Sequence, residues 1–275
     1  MLKGKALTED LWGVAMMAGA YQDNDEFSCY LWGKDADYAS VVKNDDGSLK
    51  EFVITQNDKA KMKEALTQYI ALTKFGSPGC LTANFDFVVA EQGAGRAIIQ
   101  PTQFTGVFPW TASLLAETDP DARLALVPTL GSRPYAGAWS LGVVKTGDNN
   151  EGSYWLVRLL SSYDAQYTGM RDGGQVATRL DVLSLPEWQS ADNAYPFGVL
   201  SNYLMGIWAD TAYKEVVANR YYFNSSAAGK VYEMQMDVIA KGIHGEISVD
   251  ECVNELVAKT IELTSKNDTV PIREE

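Results

Sequence analysis

The chain has 275 residues, a formal net charge of −13, 46% hydrophobic and 21% charged residues, a length that buries a sizeable core in one or two domains. The acidic balance argues against a phosphate-backbone partner, which Lys and Arg must neutralise, so no nucleic acid is expected. No apolar run reaches the roughly 20 residues that span a bilayer, and Met1 to Leu11 lacks the basic-then-apolar pattern of an export signal.

Trp12 to Met17 reads as a buried strand and Asp25 to Trp32 as a helix with Phe27, Tyr30 and Leu31 inward. Asn44-Asp45-Asp46-Gly47 reads as a turn between two short strands, the second running from Glu51 to Ile54. Asp23, Asn24, Asp25 and Asp46 lack the alternating spacing of a calcium loop. Residues 57–75 are predicted helical. Asn57 or Asp58 caps the helix, Met62, Ala65, Leu66, Tyr69 and Ile70 form its apolar face, and Gly76, Pro78 and Gly79 end it. A second helix is predicted from Asn84 to Gln92, and Gly93-Ala94-Gly95 turns the chain into a strand from Arg96 to Gln100. Those glycines precede a strand, whereas a phosphate cradle opens a helix, so they read as a turn.

Gln100 to Trp110 is polar and aromatic by turns and follows a strand end, where α/β sheets bind ligands. Arg123 to Val127 is a further predicted strand, stopped by Pro128. In the run Arg133 to Val144, small residues bring the backbone close to something, and Trp139 leads into an apolar strand. An N-cap at Asp148-Asn149-Asn150 opens a helix to Leu160 with Trp155, Leu156, Leu159 and Leu160 apolar. Gly173-Gly174 breaks the chain before 176–182. Helices are then predicted from Asn193 to Ala218 and from Gly229 to Gly242. The last helix opens on the capping box Ser248-x-x-Glu251 and carries the stripe Val249, Cys252, Val253, Leu256, Val257, Thr260 and Ile261. From Lys266 the chain is polar and expected to be loose. The alternation of strands and helices points to an α/β fold.

Catalytic constellations are scarce. The single histidine, His244, follows a helix and reads as a cation at its C-terminal end. Cys29, Cys80 and Cys252 are odd in number and far apart, which favours buried thiols and leaves one disulfide open. No metal site, no cofactor and no enzymatic activity are expected. Seven Trp and 14 Tyr in an acidic chain suit a neutral ligand with apolar faces, such as a sugar.

The order of segments resembles the later part of the family 1 extracellular solute-binding proteins, the sugar- and polyol-capturing subunits of ABC importers. The resemblance rests on Ala65 to Tyr69 leading into Phe75 to Gly79; on Phe85 to Ile99; on Ala125 to Pro128 preceding Gly137 to Val143; on Gly173-Gly174 with Arg179; and on Ala240 to Gly242 followed by Glu246 to Glu251. Ala138 stands where the family usually has Gly, and Arg96 where Lys is frequent.

The resemblance implies an α/β periplasmic-binding-protein type II lobe, a mixed sheet flanked by helices, with the N-terminal lobe largely missing, as in a fragment or split product. Residues 1–137 and 200–265 then build the C-terminal lobe, 141–195 a partial N-terminal-lobe segment, and 266–275 a flexible tail. It implies binding by lobe closure, delivery to a membrane permease, and a periplasmic or extracytoplasmic location. The partners are a sugar or polyol, the ABC permease, and the missing lobe or a second copy. The ligand-facing residues it suggests are Trp139 as a stacking ring, Gln100, Gln103 and Phe104 on the strand-end loop, Trp110, and Arg179 on the opposing side. Against these stand a core role for Trp139 and Trp110, surface amides at Gln100 and Gln103, and a salt bridge at Arg179. Two other functions compete: a stand-alone oligomeric interaction module, and a carbohydrate-active enzyme.

Overall fold

The structure, a computed structural model, describes residues 11–19, 22–102, 104–127, 134, 140–190 and 194–275. The chain divides into two compact units. Unit 1 comprises Met1–Thr102, Pro128–Tyr135 and Thr211–Glu275; unit 2 comprises Gln103–Val127 and Ala136–Asp210.

Unit 1 contains two small sheets. Strand β1 (Trp12–Val14) pairs in parallel with β4 (Ala97–Ile99), Trp12 opposite Ala97 and Val14 opposite Ile99. Strands β2 (Ser40–Lys43) and β3 (Leu49–Ile54) form the antiparallel hairpin expected around Asn44 to Gly47. Strand β5 (Ile272–Glu274) adds to β3 in parallel, Phe52 opposite Ile272. The tail expected to be loose therefore carries a strand. Its backbone is tied at both ends: the Phe52 amide donates to Pro271 O at 2.8 Å and the Glu275 amide to Ile54 O at 3.0 Å.

Helices of unit 1 enclose the core. Helix α1 (Asp23–Trp32) packs against α2 (Gln56–Thr73) and α11 (Ala228–His244), and α12 (Val249–Asn267) against α11 and α2. Helix α3 (Phe85–Gly93) opens on Asn84, whose side chain accepts the Phe87 amide. Helix α2 starts at a reciprocal box in which Thr55 is the cap and Asp58 the returning carboxylate, a correction to the Asn57-or-Asp58 assignment. The box at Ser248 and Glu251 opens α12 as its spelling predicts. Gly245, with φ of 74°, closes α11 in the left-handed conformation that glycine adopts without a Cβ penalty. Tyr38, Phe27, Phe52, Leu66, Tyr69 and Tyr221 are fully enclosed, each burial of this kind contributing on the order of 1.5–3 kcal/mol.

Unit 2 is helical: α4 (Phe108–Thr118), α5 (Asn150–Leu160), α6 (Tyr163–Gly173), α7 (Leu180–Leu183) and α8 (Phe197–Ala209). Its core is small, formed by Met170, Ala177, Val182, Leu183 and Trp188 with Phe197 and Leu204 packed on it. Helix α5 has the predicted limits, capped by Asn149 on the Gly152 amide, yet none of its side chains is buried. Two predicted strands are not strands. Residues 123–127 have no regular secondary structure; the Leu124 amide donates to the Tyr195 hydroxyl at 2.7 Å, and Arg123 lies over the Tyr195 ring. Residues 140–144 are irregular and exposed. The single helix expected over 193–218 is two. Helix α8 stays with unit 2 and α9 (Thr211–Ala218) with unit 1, the break falling at Asp210 where ψ turns to 104°. A short α10 (Tyr221–Asn224) follows. Gln103–Val127 falls in unit 2.

Candidate ligand-binding site

In a parallel sheet the loops that follow the carboxyl ends of neighbouring strands gather at one edge. In unit 1 these are Ala15 onward after β1 and Gln100 onward after β4, joined by the Ala15 amide donating to Ile99 O at 2.8 Å. Gln100 donates through Nε2 to Thr102 O at 3.0 Å. Its Oε1 and the Thr102 hydroxyl are buried and have no partner. A buried polar atom left unpaired costs about 1–3 kcal/mol. The position of Gln100 was legible from the strand that precedes it; its unpaired oxygen was not.

Among the other residues singled out from the sequence, Phe104, Trp110 and Arg179 lie in unit 2. Phe104 is half-buried and precedes a single 3-10 turn at Thr105–Val107. Pro109 opens α4 within its first turn. Phe108 and Pro109 face inward there and Trp110 outward, 48% exposed, so Trp110 is a surface indole and not a core one. Arg179 is engaged. Its guanidinium forks onto Asp181 at 2.9 and 2.6 Å and donates to Ser161 O at 3.2 Å. That pair holds the exposed Asp181 carboxyl below its usual range and Arg179 above its own. The arrangement braces the start of α7, the salt-bridge alternative weighed from the sequence. Trp139 and Gln103 lie outside the described residues.

Sequence reasoning missed an aromatic row in unit 2. Tyr163 and Tyr167 stack nearly parallel at 5.9 Å along α6, Arg171 lies over Tyr167, and Trp188 closes the row at 6.3 Å. The i, i+4, i+8 spacing of Tyr163, Tyr167 and Arg171 was the available signal.

Unit 1 also has a cavity of about 430 Å³, lined by Trp32, Asp37, Asp58, Glu215, Asn219 and Arg220 among others. Arg220 lies 3.8 Å above the Trp32 ring and donates to Pro134 O at 3.1 Å. Asp37 accepts from Trp32 Nε1, the Tyr38 amide and the Tyr221 amide. Burial nevertheless raises its pKa, outweighing those three donors. None of Gln100, Phe104, Trp110 and Arg179 lines this cavity. His244 ends α11 with Nε2 at 3.0 Å from Leu81 O, a carbonyl of the 3-10 turn Pro78–Thr82. The three cysteines are free and buried, which closes the disulfide alternative. Among the described residues no group of His, Cys, Asp and Glu is arranged to hold a metal ion, and no helix is long and apolar enough to cross a membrane.

No known family's sequence profile matches the chain, and no curated protein matches it. Solved structures do. The maltose-bound MalE3 of T. maritima matches with a TM-score of 0.64 at 17% identity, over 91% of this chain and 60% of its own. An ABC transporter solute-binding protein from Thermotoga lettingae TMO, bound with alpha-D-tagatose, matches at 0.58 and 15%, over 93% of this chain and 60% of its own. A Streptococcus pneumoniae solute-binding protein in complex with the blood group A-trisaccharide matches at 0.52 and 10%, over 92% and 59%. The chain thus spans about 60% of the length of the proteins whose fold it shares.

Proposed function

We propose that this chain, whose α/β fold is that of the solute-binding proteins of ABC transporters, is the larger part of a sugar- or polyol-capturing subunit. The observation that carries the reading is the fold match over more than nine-tenths of the chain to proteins solved with maltose, tagatose and a trisaccharide. The chemistry of the candidate residues agrees with it. Sugar hydroxyls need amide acceptors such as Gln100, and sugar C–H faces need flat rings such as Trp110 and Phe104. In this reading unit 1 is the C-terminal lobe, unit 2 is part of the N-terminal lobe, and the two close on the ligand by a hinge. The closed form delivers its cargo to a membrane permease on the outer side of the cytoplasmic membrane. It binds without turnover.

Helix α5 supports the further reading that unit 2 is completed by more polypeptide. Trp155 is 55% and Leu159 62% exposed, with Tyr154, Leu156 and Leu160 beside them. A face of that size asks for a cover. The two-fifths of the neighbours' length without a counterpart here is enough chain to supply one. The same face also favours a second reading, an oligomeric module in which copies cover each other; a light-scattering mass of one chain counts against that reading.

The test is calorimetric titration of maltose, tagatose and a polyol panel into two preparations. One is this chain and the other is the same chain joined to whatever the neighbouring coding sequence adds in frame. Little or no heat is expected from the chain alone, and saturable binding, weakened by Gln100→Ala or Trp110→Ala, from the extended form. Absence of binding by any sugar or polyol in both preparations would overturn the proposal.

A further inference from the structure

The first turn of α1 buries more acid than any other place among the described residues. Asp23, Asn24 and Glu26 have no solvent exposure, and Asp25 very little. Glu26 Oε2 accepts the Met17 amide at 2.9 Å and lies 2.9 Å from the Tyr69 hydroxyl, which is 3.3 Å from Met17 O. Asp23 Oδ1 accepts the Asn24 amide at 2.9 Å. Glu26 Oε1, Asp23 Oδ2, Asn24 Oδ1 and the Tyr30 hydroxyl are buried with no partner. Thus each of the two acids has one satisfied oxygen and one bare one.

Among the described residues, the charged and titratable groups facing them are all acids or neutral. They are Asp25 and Tyr30 from α1, Tyr69 from α2, Cys80 from the 3-10 turn Pro78–Thr82, Tyr232 from α11 and Cys252 from α12. Tyr232 donates to Asp25 Oδ1 at 3.0 Å. Among the described residues no Lys, Arg or His bonds to Asp23 or Glu26. A buried carboxylate without a cation is among the costliest groups a fold can hold. The partial positive charge of the α1 N-terminus offsets only a small part of that cost. A neutral carboxyl group asks far less: its carbonyl oxygen takes the existing donors and its hydroxyl sits on the bare side.

We propose that the first turn of α1 is a proton-held latch, in which Asp23 and Glu26 are neutral acids that pin the β1–α1 connection through Met17 and Tyr69, and whose ionisation loosens that turn by drawing water to the bare oxygens. The proposal stands apart from any ligand, because it uses only groups inside unit 1.

The direction with pH follows from linkage. Burial pushes the Asp23 carboxyl up to about 9 and that of Glu26 up to about 8, from ordinary values of 3.8 and 4.5. The folded chain then holds protons that the unfolded chain has released. The stability these two groups contribute is therefore fully present in acid, below the ordinary carboxyl values, and is lost as pH rises toward 8 and then 9.

Urea unfolding of the chain at a series of pH values from about 5 to about 10 tests this. A midpoint that falls steadily with pH is expected for the parent protein. The fall should shrink in Glu26→Gln and in Asp23→Asn, and shrink most when both are present, since the amides mimic the neutral acids. A parent midpoint that is level or rises over this range overturns the latch, as does an undiminished fall in the double variant. Should the variants fail to fold, carboxyl-carbon NMR of the parent protein decides. A neutral Glu26 signal at pH 7 supports the proposal and an ionised one ends it.

Discussion

Two helices, one in each unit, reverse what their sequences advertise. Helix α5 in unit 2 has a clean apolar face and buries none of it, whereas α1 in unit 1 is acidic along its first turn and buries every residue. Amphipathic patterning records which face a helix has available for burial. Whether the burial is realised depends on what else is present. In unit 1, α2, α11 and α12 supply that surround, and even carboxylates are drawn inside. Among the described residues of unit 2, a small core gathers around Met170, Leu183 and Trp188, Phe108, Leu115 and Leu200 are buried besides, and α5 buries none of its side chains. Among the described residues, α1 of unit 1 is enclosed on every side and the apolar face of α5 in unit 2 is exposed.

The sharpest way to break that contrast is to cut into the finished core. Phe52 is fully enclosed, and its ring meets Tyr221 at 5.2 Å. Phe52→Ala is expected to lower unfolding stability by about 3–5 kcal/mol, the usual cost of a large cavity, read as a drop in the urea midpoint. A loss below about 1 kcal/mol would mean that unit 1 repacks freely and is no more settled than unit 2.

Somewhat smaller is the effect expected at Gly19, where the connection from β1 passes under the loop at Thr82. A Cβ there would fall 2.6 Å from the Thr82 carbonyl carbon and 2.7 Å from Ala83 O, both backbone atoms. The Gly19 amide also bonds to Ala83 O at 3.0 Å, so neither side can retreat without losing that contact. Gly19→Ala should cost about 1–3 kcal/mol as overpacking strain. Thermal unfolding checks it, and an unchanged melting temperature would show that the close approach is not held in solution.

What was legible divides along the same line. Several local signals with a fixed spelling match the structure, namely the Ser248 box that opens α12, the Asn149 cap of α5 and the turn at Asn44 to Gly47, although the equally local Thr55–Asp58 box of α2 differs from the Asn57-or-Asp58 reading. Signals whose outcome depends on a distant partner do not. Arg123 to Val127 has the alternation of a strand, but its backbone meets a tyrosine hydroxyl from residue 195 in place of a ladder. Ile272 to Glu274 is three residues long with a single apolar side chain, and its strand character comes from its partner β3, some 220 residues earlier in the chain. The break at Asp210 has no Gly or Pro to announce it; it marks where the chain passes from one unit to the other. Of the candidate ligand residues, Gln100 follows a strand end as its sequence context suggests, whereas Trp110 lies in the first turn of α4 rather than in the strand-end loop, and the partner of the Arg179 salt bridge, Asp181, is set by the geometry of a turn. The burial of Asp23 and Glu26 had no counterpart in the sequence, since it comes from α2 and α11 closing over α1.

The smallest expected effect is the most informative about unit 2. Leu159 is 62% exposed on α5. If that face is open in solution, Leu159→Ala removes little buried surface and stability should change by no more than about 0.5 kcal/mol. Alanine also favours the helix slightly, so the sign can go either way within that range. A loss of about 2 kcal/mol or more, the scale of a core leucine, would show that α5 is covered in the isolated chain after all. Measuring the variant at two protein concentrations separates the two ways of covering it. A loss that grows on concentration belongs to a second copy, because association links stability to protomer concentration. A concentration-independent loss belongs to rearrangement within one chain. Either result would move unit 2 from an open half toward a closed one, and would relocate the difference between the units from packing to composition.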